Sequence, residues 1–154
     1  MARTYKVEPM TRFVNRIMQA LLRLNIGPAN TYVLTVKGRK SGKPHLTPVT
    51  LVEEGSDRWL VAPYGAVGWV RNARVAGQVT LTRGSRSETV SITELGAVES
   101  APVLKWCITR VPITQPYFDV TPTSPLDAFE AEAPRHPVFH LQPIMHLVDT
   151  HRAT

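Results

Sequence analysis

A short basic segment between two predicted strands has the residue types that could bind an anionic group. Residues 38–43 read Gly-Arg-Lys-Ser-Gly-Lys, so two cations and a hydroxyl lie between two glycines. The glycines let the backbone turn tightly and approach a ligand, and the cations and hydroxyl can hold phosphate or carboxylate by charge-assisted hydrogen bonds. The spacing is not that of a Walker phosphate loop. An exposed hairpin tip has the same composition, so this segment alone leaves both interpretations open.

A second candidate segment follows the third predicted strand. Residues 61–65 read Val-Ala-Pro-Tyr-Gly and precede a predicted helix. Small residues at the end of a strand can support a flat ring system. On the helix, Arg71 and Arg74 are three residues apart and share a face that could contact phosphate, and Trp69 and Asn72 share an adjacent face. The alternative is that Trp69 packs in the core and Asn72 caps the helix.

Histidine and cysteine predict neither a metal site nor a nucleophile. His136 and His140 are four residues apart, but Pro137 disfavours a helical ligand pair, and on a strand they would lie about 13 Å apart. The single cysteine, Cys107, has hydrophobic neighbours and is predicted to be a small buried hydrophobe. No Ser-His-Asp or paired-carboxylate arrangement is apparent.

Composition restricts the class of protein and suggests an anionic partner. A chain of 154 residues is expected to form one domain. One cysteine fits a reducing compartment, and neither a signal peptide nor a membrane span is predicted, so we expect a cytoplasmic protein. The net charge of +6 is uneven, because residues 1–90 carry +9 and residues 91–154 carry −3. A basic half favours a phosphorylated cofactor, nucleic acid or an anionic membrane.

Periodicity predicts the elements that would position these side chains. Apolar residues at helical spacing predict a basic amphipathic helix over residues 8–25, which could pack on its own domain or rest on a membrane surface. Alternating segments then predict antiparallel hairpins, and Gly77 closes a predicted helix. The predicted strands are 32–36, 45–52, 58–62, 79–82 and 89–93, and the second helix is 68–76.

The last third of the chain predicts fewer regular elements. A helix is expected from Pro102 to Arg110, with the proline in its first turn. Seven prolines lie between residues 111 and 143, so this segment is expected to wrap the barrel without regular structure, with one last strand at 138–142. Hairpins that close into a barrel core over about residues 30–95, with helices outside, give a mainly β (α+β) domain over residues 1–154.

The two candidate segments together resemble the deazaflavin-dependent nitroreductase and quinone reductase family of actinobacteria. The resemblance covers residues 28–95 and lies in the Gly-Arg-Lys-Ser-Gly-Lys-Pro segment, Thr47-Pro48, the strand that ends at Ala62, and Trp69 with Asn72. It implies a split β-barrel of the FMN-binding type, with coenzyme F420 as the cofactor and FMN as the alternative. The anionic cofactor would be the partner of the basic half.

The resemblance also implies which residues bind the cofactor. The tip residues would hold the phosphate and the polyglutamate tail, the return strand would line the deazaflavin ring, and the second segment would contact the ring or ribityl chain and close the site. In that order these residues are Arg39, Lys40 and Ser41; Thr47, Pro48, Val49 and Thr50; and Ala62, Pro63, Tyr64, Gly65, Trp69, Arg71 and Asn72.

The expected reaction is hydride transfer from the reduced cofactor to an apolar acceptor. Quinones, enones, unsaturated lipid-like compounds and nitro compounds are the candidate acceptors. The loop between Ala62 and Trp69 is shorter than in the nitroreductase branch, and Thr50 replaces an aromatic residue there, so a different branch is indicated. Tyr64 and Tyr117 are the candidate proton donors, with solvent as the default.

The sequence leaves other functions and partners open. A non-catalytic binder of F420, FMN or a hydrophobic ligand is the main alternative. Nucleic-acid binding is disfavoured because the aromatic residues do not interleave with Lys and Arg. The amphipathic helix could contact a membrane, and the chain could form a homodimer.

Overall fold

Six antiparallel strands close into a barrel. The computed structural model describes residues 9–27 and 29–144. Around the barrel the order is β1-β2-β3-β6-β5-β4, and β4 pairs with β1 to complete the circle. The strands are β1 (Thr31–Lys37), β2 (Pro44–Glu54), β3 (Asp57–Val61), β4 (Gln78–Arg83), β5 (Arg86–Glu94) and β6 (Val138–Pro143). The antiparallel split β-barrel expected from the sequence is confirmed.

The helices lie outside the barrel and at its ends. They are α1 (Pro9–Arg23), α2 (Gly68–Ala76), α3 (Ala97–Arg110) and α4 (Leu126–Glu132), with 3-10 segments at Pro112–Tyr117 and Ala133–Arg135. The predicted bounds of α2 are confirmed, including its end at Gly77, whose φ of 72° is the left-handed conformation that glycine adopts readily. The first predicted helix began at Glu8, which lies outside the described residues.

Two hydrophobic clusters lie on opposite sides of one wall of the barrel. Leu60 and Phe139 point inward, whereas Val61 and Val138 point outward against α3 and α4, where Phe129 is fully buried. Neighbouring residues on a strand face opposite sides, so a wall that is covered on both sides needs apolar residues in succession. This explains the continuous apolar runs in β3 and β6.

Two predictions for the last third of the chain are wrong. The helix begins at Ala97, so Pro102 lies inside α3 and not in its first turn. Pro102 removes one backbone hydrogen bond, but Leu104 and Ile108 are fully buried beyond it, and this burial stabilises the helix. The proline-rich segment also forms short helices, because the fixed φ of proline suits their first turns.

Arg83 holds the segment that follows α1 against the barrel. Its Nε donates to Asn25 Oδ1 at 2.7 Å, and its two terminal nitrogens donate to the carbonyls of Thr31 and Gly27 at 2.9 Å each. Leu22 of α1 is fully buried against the strands. The barrel core also extends beyond the predicted residues 30–95, because β6 pairs with β3 and β5.

Candidate functional site

The tip between β1 and β2 is a tight turn with exposed cations. Gly38 N–H donates to Lys43 O at 2.8 Å, and Gly42 N–H donates back to Gly38 O at 3.0 Å. Gly42 has a φ of 73°, which favours glycine. Lys40 and Ser41 are exposed, and the Ser41 hydroxyl accepts a bond from Lys43 N–H at 3.2 Å. The predicted turn is confirmed, and its geometry presents two polar side chains outward.

Gly38 lies close to two side chains of the tip. A Cβ built on Gly38 would lie 2.6 Å from His45 Nε2 and 2.9 Å from Ser41 Oγ. Both distances are below van der Waals contact, so a side chain at this position would displace the imidazole or the hydroxyl. The glycine therefore lets His45 and Ser41 lie together at the base of the tip.

Asn72 attaches the tip to α2. Its side chain is buried, and its Oδ1 accepts the Arg39 backbone N–H at 3.1 Å and the Arg39 Nη1–H at 2.7 Å. Asn72 does not cap α2, because the N-cap position is Val67. The bond from Nη1 uses one of the five N–H donors of the Arg39 guanidinium. The first predicted segment is thus held in place by the second.

A cavity of about 1010 Å³ lies between the tip, β2 and the start of α2. Most of the predicted cofactor-binding residues line it. They are Arg39, Lys40 and Ser41 from the tip, Thr47, Pro48, Val49 and Thr50 from β2, and Pro63, Tyr64, Trp69 and Asn72 from the second segment. The exposed cations therefore lie at one end of a cavity whose walls are largely apolar.

Three predicted residues lie outside this lining. Ala62 points into the barrel core, and Val61 lines the cavity in its place, because adjacent strand residues face opposite sides. Gly65 is half-buried at the end of the ledge, the name used here for residues 62–65. Arg71 is exposed on another face of α2. Its neighbour Arg74 forms a two-bond pair with Glu94 at 2.8 Å, which raises the pKa of Arg74, so Arg74 is paired with a carboxylate and Arg71 lies outside the cavity lining.

Sequence reasoning missed the other wall of the cavity. It comes from α1, from the segment before β1 and the first residue of β1, from the base of the tip, from the start of α2, and from the end of α3 with the following 3-10 segment. The residues are Asn15, Met18, Ala29, Thr31, Gly38, His45, Leu46, Val67, Gly68, Cys107, Arg110, Val111, Ile113 and Thr114. Apart from Gly38, which belongs to the first candidate segment, no local pattern distinguishes these positions. Burial raises the pKa of the Cys107 thiol to about 11, so the expected small buried hydrophobe is confirmed.

The two tyrosines considered as proton donors are in contact. Their ring centroids lie 4.6 Å apart, with an edge-to-face angle of 72°. Tyr64 lines the cavity, whereas Tyr117 packs against the hydrophobic cluster between the barrel and α3. The geometry therefore places Tyr64 where a bound molecule could reach it, and Tyr117 behind it.

A buried histidine backs the ledge from the side opposite the cavity. His136 Nδ1 lies 2.8 Å from Pro63 O, and Nε2 lies 2.7 Å from Glu132 Oε2. Burial lowers the pKa of His136, and both hydrogen bonds oppose this shift. From the sequence alone, His136 is of interest only as a possible metal ligand. Among residues 9–27 and 29–144, no cluster of His, Cys, Asp and Glu could hold a metal ion.

Comparisons with known proteins agree with this geometry. Residues 10–119 match the family model for F420H(2)-dependent quinone reductase. No curated protein matches the chain.

Several solved structures share the fold. One structure, described as a domain-swapped dimer, is 20% identical in sequence with a TM-score of 0.55, and the match covers 86% of this chain and 96% of that chain. An F420-H2 dependent reductase, FDR-A, is 22% identical with a TM-score of 0.52, covering 74% and 95%. A Listeria innocua protein assigned as a pyridoxamine 5'-phosphate oxidase is 14% identical with a TM-score of 0.51, covering 86% and 94%.

We expect Asn72→Ala to loosen the tip. The variant removes the acceptor of two Arg39 hydrogen bonds, so the free energy of unfolding should fall by about 1–3 kcal/mol, and the Arg39 amide should exchange with solvent faster. Denaturant unfolding and hydrogen exchange measure these effects. The control is Val75→Ala, which truncates an exposed side chain of the same helix. Unchanged exchange at Arg39 would show that Asn72 does not hold the tip.

Proposed function

Because the chain belongs to the F420H(2)-dependent quinone reductase family, we propose that it reduces a quinone or another apolar unsaturated acceptor. The chain is an F420-dependent reductase, and coenzyme F420 is its cofactor. When bound, the reduced cofactor supplies the hydride. Family membership favours the reductase over the non-catalytic binder, and favours F420 over FMN.

One observation carries this proposal: a single cavity combines a cationic end with apolar walls. Arg39 and Lys40 suit the phosphate and carboxylates of the cofactor, whereas Pro48, Val49 and Trp69 suit a flat ring. A volume of about 1010 Å³ is at the upper end of the range for ligand pockets, which is about 300–1,000 Å³. The residues present therefore fit the anionic groups and the flat ring of F420.

The chain's own residues bind, orient and exclude water. The tip would hold the anionic groups, and the apolar walls would keep water from the reacting atoms. Tyr64 is the lining residue proposed to hold a proton for the reduced product, through its phenolic hydroxyl. Tyr117 would orient the Tyr64 ring through their edge-to-face contact.

We expect Lys40→Ala/Ser41→Ala to weaken F420 binding by about tenfold or more, since charge-assisted hydrogen bonds contribute about 1.5–3 kcal/mol each. Fluorescence titration measures the dissociation constant, and FMN should bind more weakly than F420 to the wild type. The matched control is Arg86→Ala, which removes an exposed cation from the β4–β5 hairpin at the other end of the barrel. Equal affinity in both variants would exclude the tip as the anion site.

The acceptor class is tested by oxidation of reduced F420 with a panel of acceptors. We expect quinones and enones to accelerate oxidation more than nitro compounds, because the loop between Ala62 and Trp69 and the residue Thr50 depart from the pattern of the nitroreductase branch that the sequence resembles. The absorbance of F420 at steady state gives the rate, with a reaction lacking acceptor as the control. If no acceptor accelerates oxidation although F420 binds, the protein is a cofactor carrier and not a reductase.

We also propose that α1 contacts an anionic membrane surface from the cytoplasmic side, where a lipid-soluble acceptor would reside. Phe13 is 60% exposed and Ile17 is 46% exposed, and Arg12 and Arg16 beside them are exposed too. Exposed apolar side chains flanked by arginines suit an interfacial helix. Asn15 and Met18, which line the cavity, lie on the face of α1 turned about 150° away from Phe13 and Ile17, so the lipid would contact the side of the helix that faces away from the cavity. Within residues 9–27 and 29–144, no helix is long and apolar enough to cross a membrane.

We expect Phe13→Asp/Ile17→Asp to abolish cosedimentation with anionic liposomes, because each apolar side chain contributes about 1.5–3 kcal/mol when buried. Val75→Asp/Val98→Asp is the control, since both valines are 71% exposed on other helices. Wild-type protein should bind anionic liposomes more tightly than zwitterionic ones. Failure of the wild type to cosediment with either would overturn the contact.

The homodimer stays a prediction. A structure with the same fold is described as a domain-swapped dimer, which supports the idea that this barrel can pair. Sedimentation velocity would measure the oligomeric state.

A further inference from the structure

A histidine and a glutamate are buried together behind the ledge. The side chain of His136 is 4% exposed and that of Glu132 is 3% exposed. Burying ionisable groups is unfavourable, and replacing a buried pair with apolar residues is often neutral or stabilising. Stability alone therefore does not explain the pair. Its hydrogen bonds to the neighbouring chain are the other effect that it has on the structure.

The hydrogen bonds fix where the protons lie. Pro63 O can only accept, so His136 Nδ1 donates to it. On the other side, one proton lies between Nε2 and Glu132 Oε2. Glu132 is also paired with Arg135 and accepts the Asp119 backbone N–H at 3.3 Å, while Asp119 itself pairs with Arg135 at 2.8 Å. The imidazole is thus fixed at both nitrogens.

The segment containing His136 makes two hydrogen bonds to the ledge and passes close to it at a third point. Besides the bond to Pro63, Ala62 N–H donates to Pro137 O at 2.8 Å. Gly65 has a φ of 93°, and a Cβ on it would lie 3.5 Å from Arg135 O, so the two backbones run close together. The bond from His136 is the one made by a side chain, and therefore the one that depends on residue identity.

The imidazole also contacts the segment that carries Tyr117. The ring of Phe118 stacks on His136 with centroids 3.7 Å apart and an interplanar angle of 12°. Tyr117 precedes Phe118 and packs on Tyr64, which follows Pro63. His136 therefore touches the chain next to both tyrosines, one through a hydrogen bond and the other through ring stacking.

We propose that His136 is a positioning residue for the reductase, with Glu132 holding its imidazole. Its bond to the Pro63 carbonyl sets the position of the ledge, and so of Tyr64 at the cavity wall, relative to the tip across the cavity. This inference rests on the proposed function for its catalytic consequence. Its structural part, the fixed ledge, can be measured without cofactor.

A pair of substitutions separates the two hydrogen bonds of the imidazole. The amide nitrogen of Asn lies near the position of Nδ1, so His136→Asn keeps the bond to Pro63 O and loses Glu132. The amide nitrogen of Gln lies near Nε2, so His136→Gln keeps Glu132 and loses Pro63 O. Both variants lose the aromatic stacking on Phe118, so loss of stacking affects the two equally.

We expect the Gly65 amide, which donates to Ala62 O at 3.2 Å, to exchange about tenfold faster in His136→Gln than in His136→Asn. Hydrogen exchange of cofactor-free protein measures this, with melting temperatures recorded for both. With reduced F420 and a quinone, kcat should fall about tenfold in His136→Gln and be retained in His136→Asn.

The proposal would be overturned if His136→Asn and His136→Gln showed the same exchange rate at Gly65 and the same kcat at equal melting temperature. A residue that only stabilises the fold would give that result. Faster exchange in His136→Gln with unchanged kcat would also overturn it, since the ledge would then not govern the reaction. If the wild type neither binds F420 nor oxidises it, the proposed function fails, while the exchange data still decide whether His136 fixes the ledge.

Discussion

The pairing of β6 between β3 and β5 is the constraint on which the remaining structure depends. Until the C-terminal strand returns, β3 and β5 each have an unpaired edge, and unpaired edges expose backbone donors and acceptors. The chain between β5 and β6 must therefore leave the barrel and come back to the edge of β3. Along that path α3 and α4 cover the outer face of the wall, and the 3-10 segment reaches the cavity. Closure of the barrel thus builds the second hydrophobic cluster and one wall of the cavity together.

The same return brings residues 135–137 against the ledge. Pro137 O accepts the Ala62 N–H at 2.8 Å immediately before β6 pairs with β3. The pairing fixes the register of the two strands, and it places His136 Nδ1 2.8 Å from the carbonyl oxygen of Pro63. The cavity wall and the buried polar pair behind it are in this sense consequences of a single strand pairing. A shift in register would move both.

On the other side of the cavity, the tip is held in place by side-chain hydrogen bonds and not by the pairing of a strand. The tip residues are exposed and would be mobile as an isolated hairpin. Asn72 accepts two hydrogen bonds from Arg39 and thereby connects the tip to a helix whose Val70 and Ala73 are fully buried. Charged groups that are held before a ligand arrives lose less entropy on binding. The cationic end is therefore preorganised, while Lys40 and Ser41 remain accessible to an anion.

The sequence by itself determined the local features. Glycines at 38, 42 and 77 mark turns that only particular φ values or close contacts allow, and the alternating segments identified the hairpins. The spacing of the tip and the second segment also indicated the family and eleven of the 26 residues that line the cavity. Only the tertiary structure decided that Val61, and not Ala62, faces the cavity. Alternation predicts that the two side chains point to opposite sides, but both sides are apolar, so the sequence does not show which side chain points into the barrel. The tertiary structure also decided that Met18, Arg110 and Thr114 line the cavity and that His136 supports Pro63. These residues lie tens of positions from their neighbours in the chain, and barrel closure, which no local pattern encodes, brings them together.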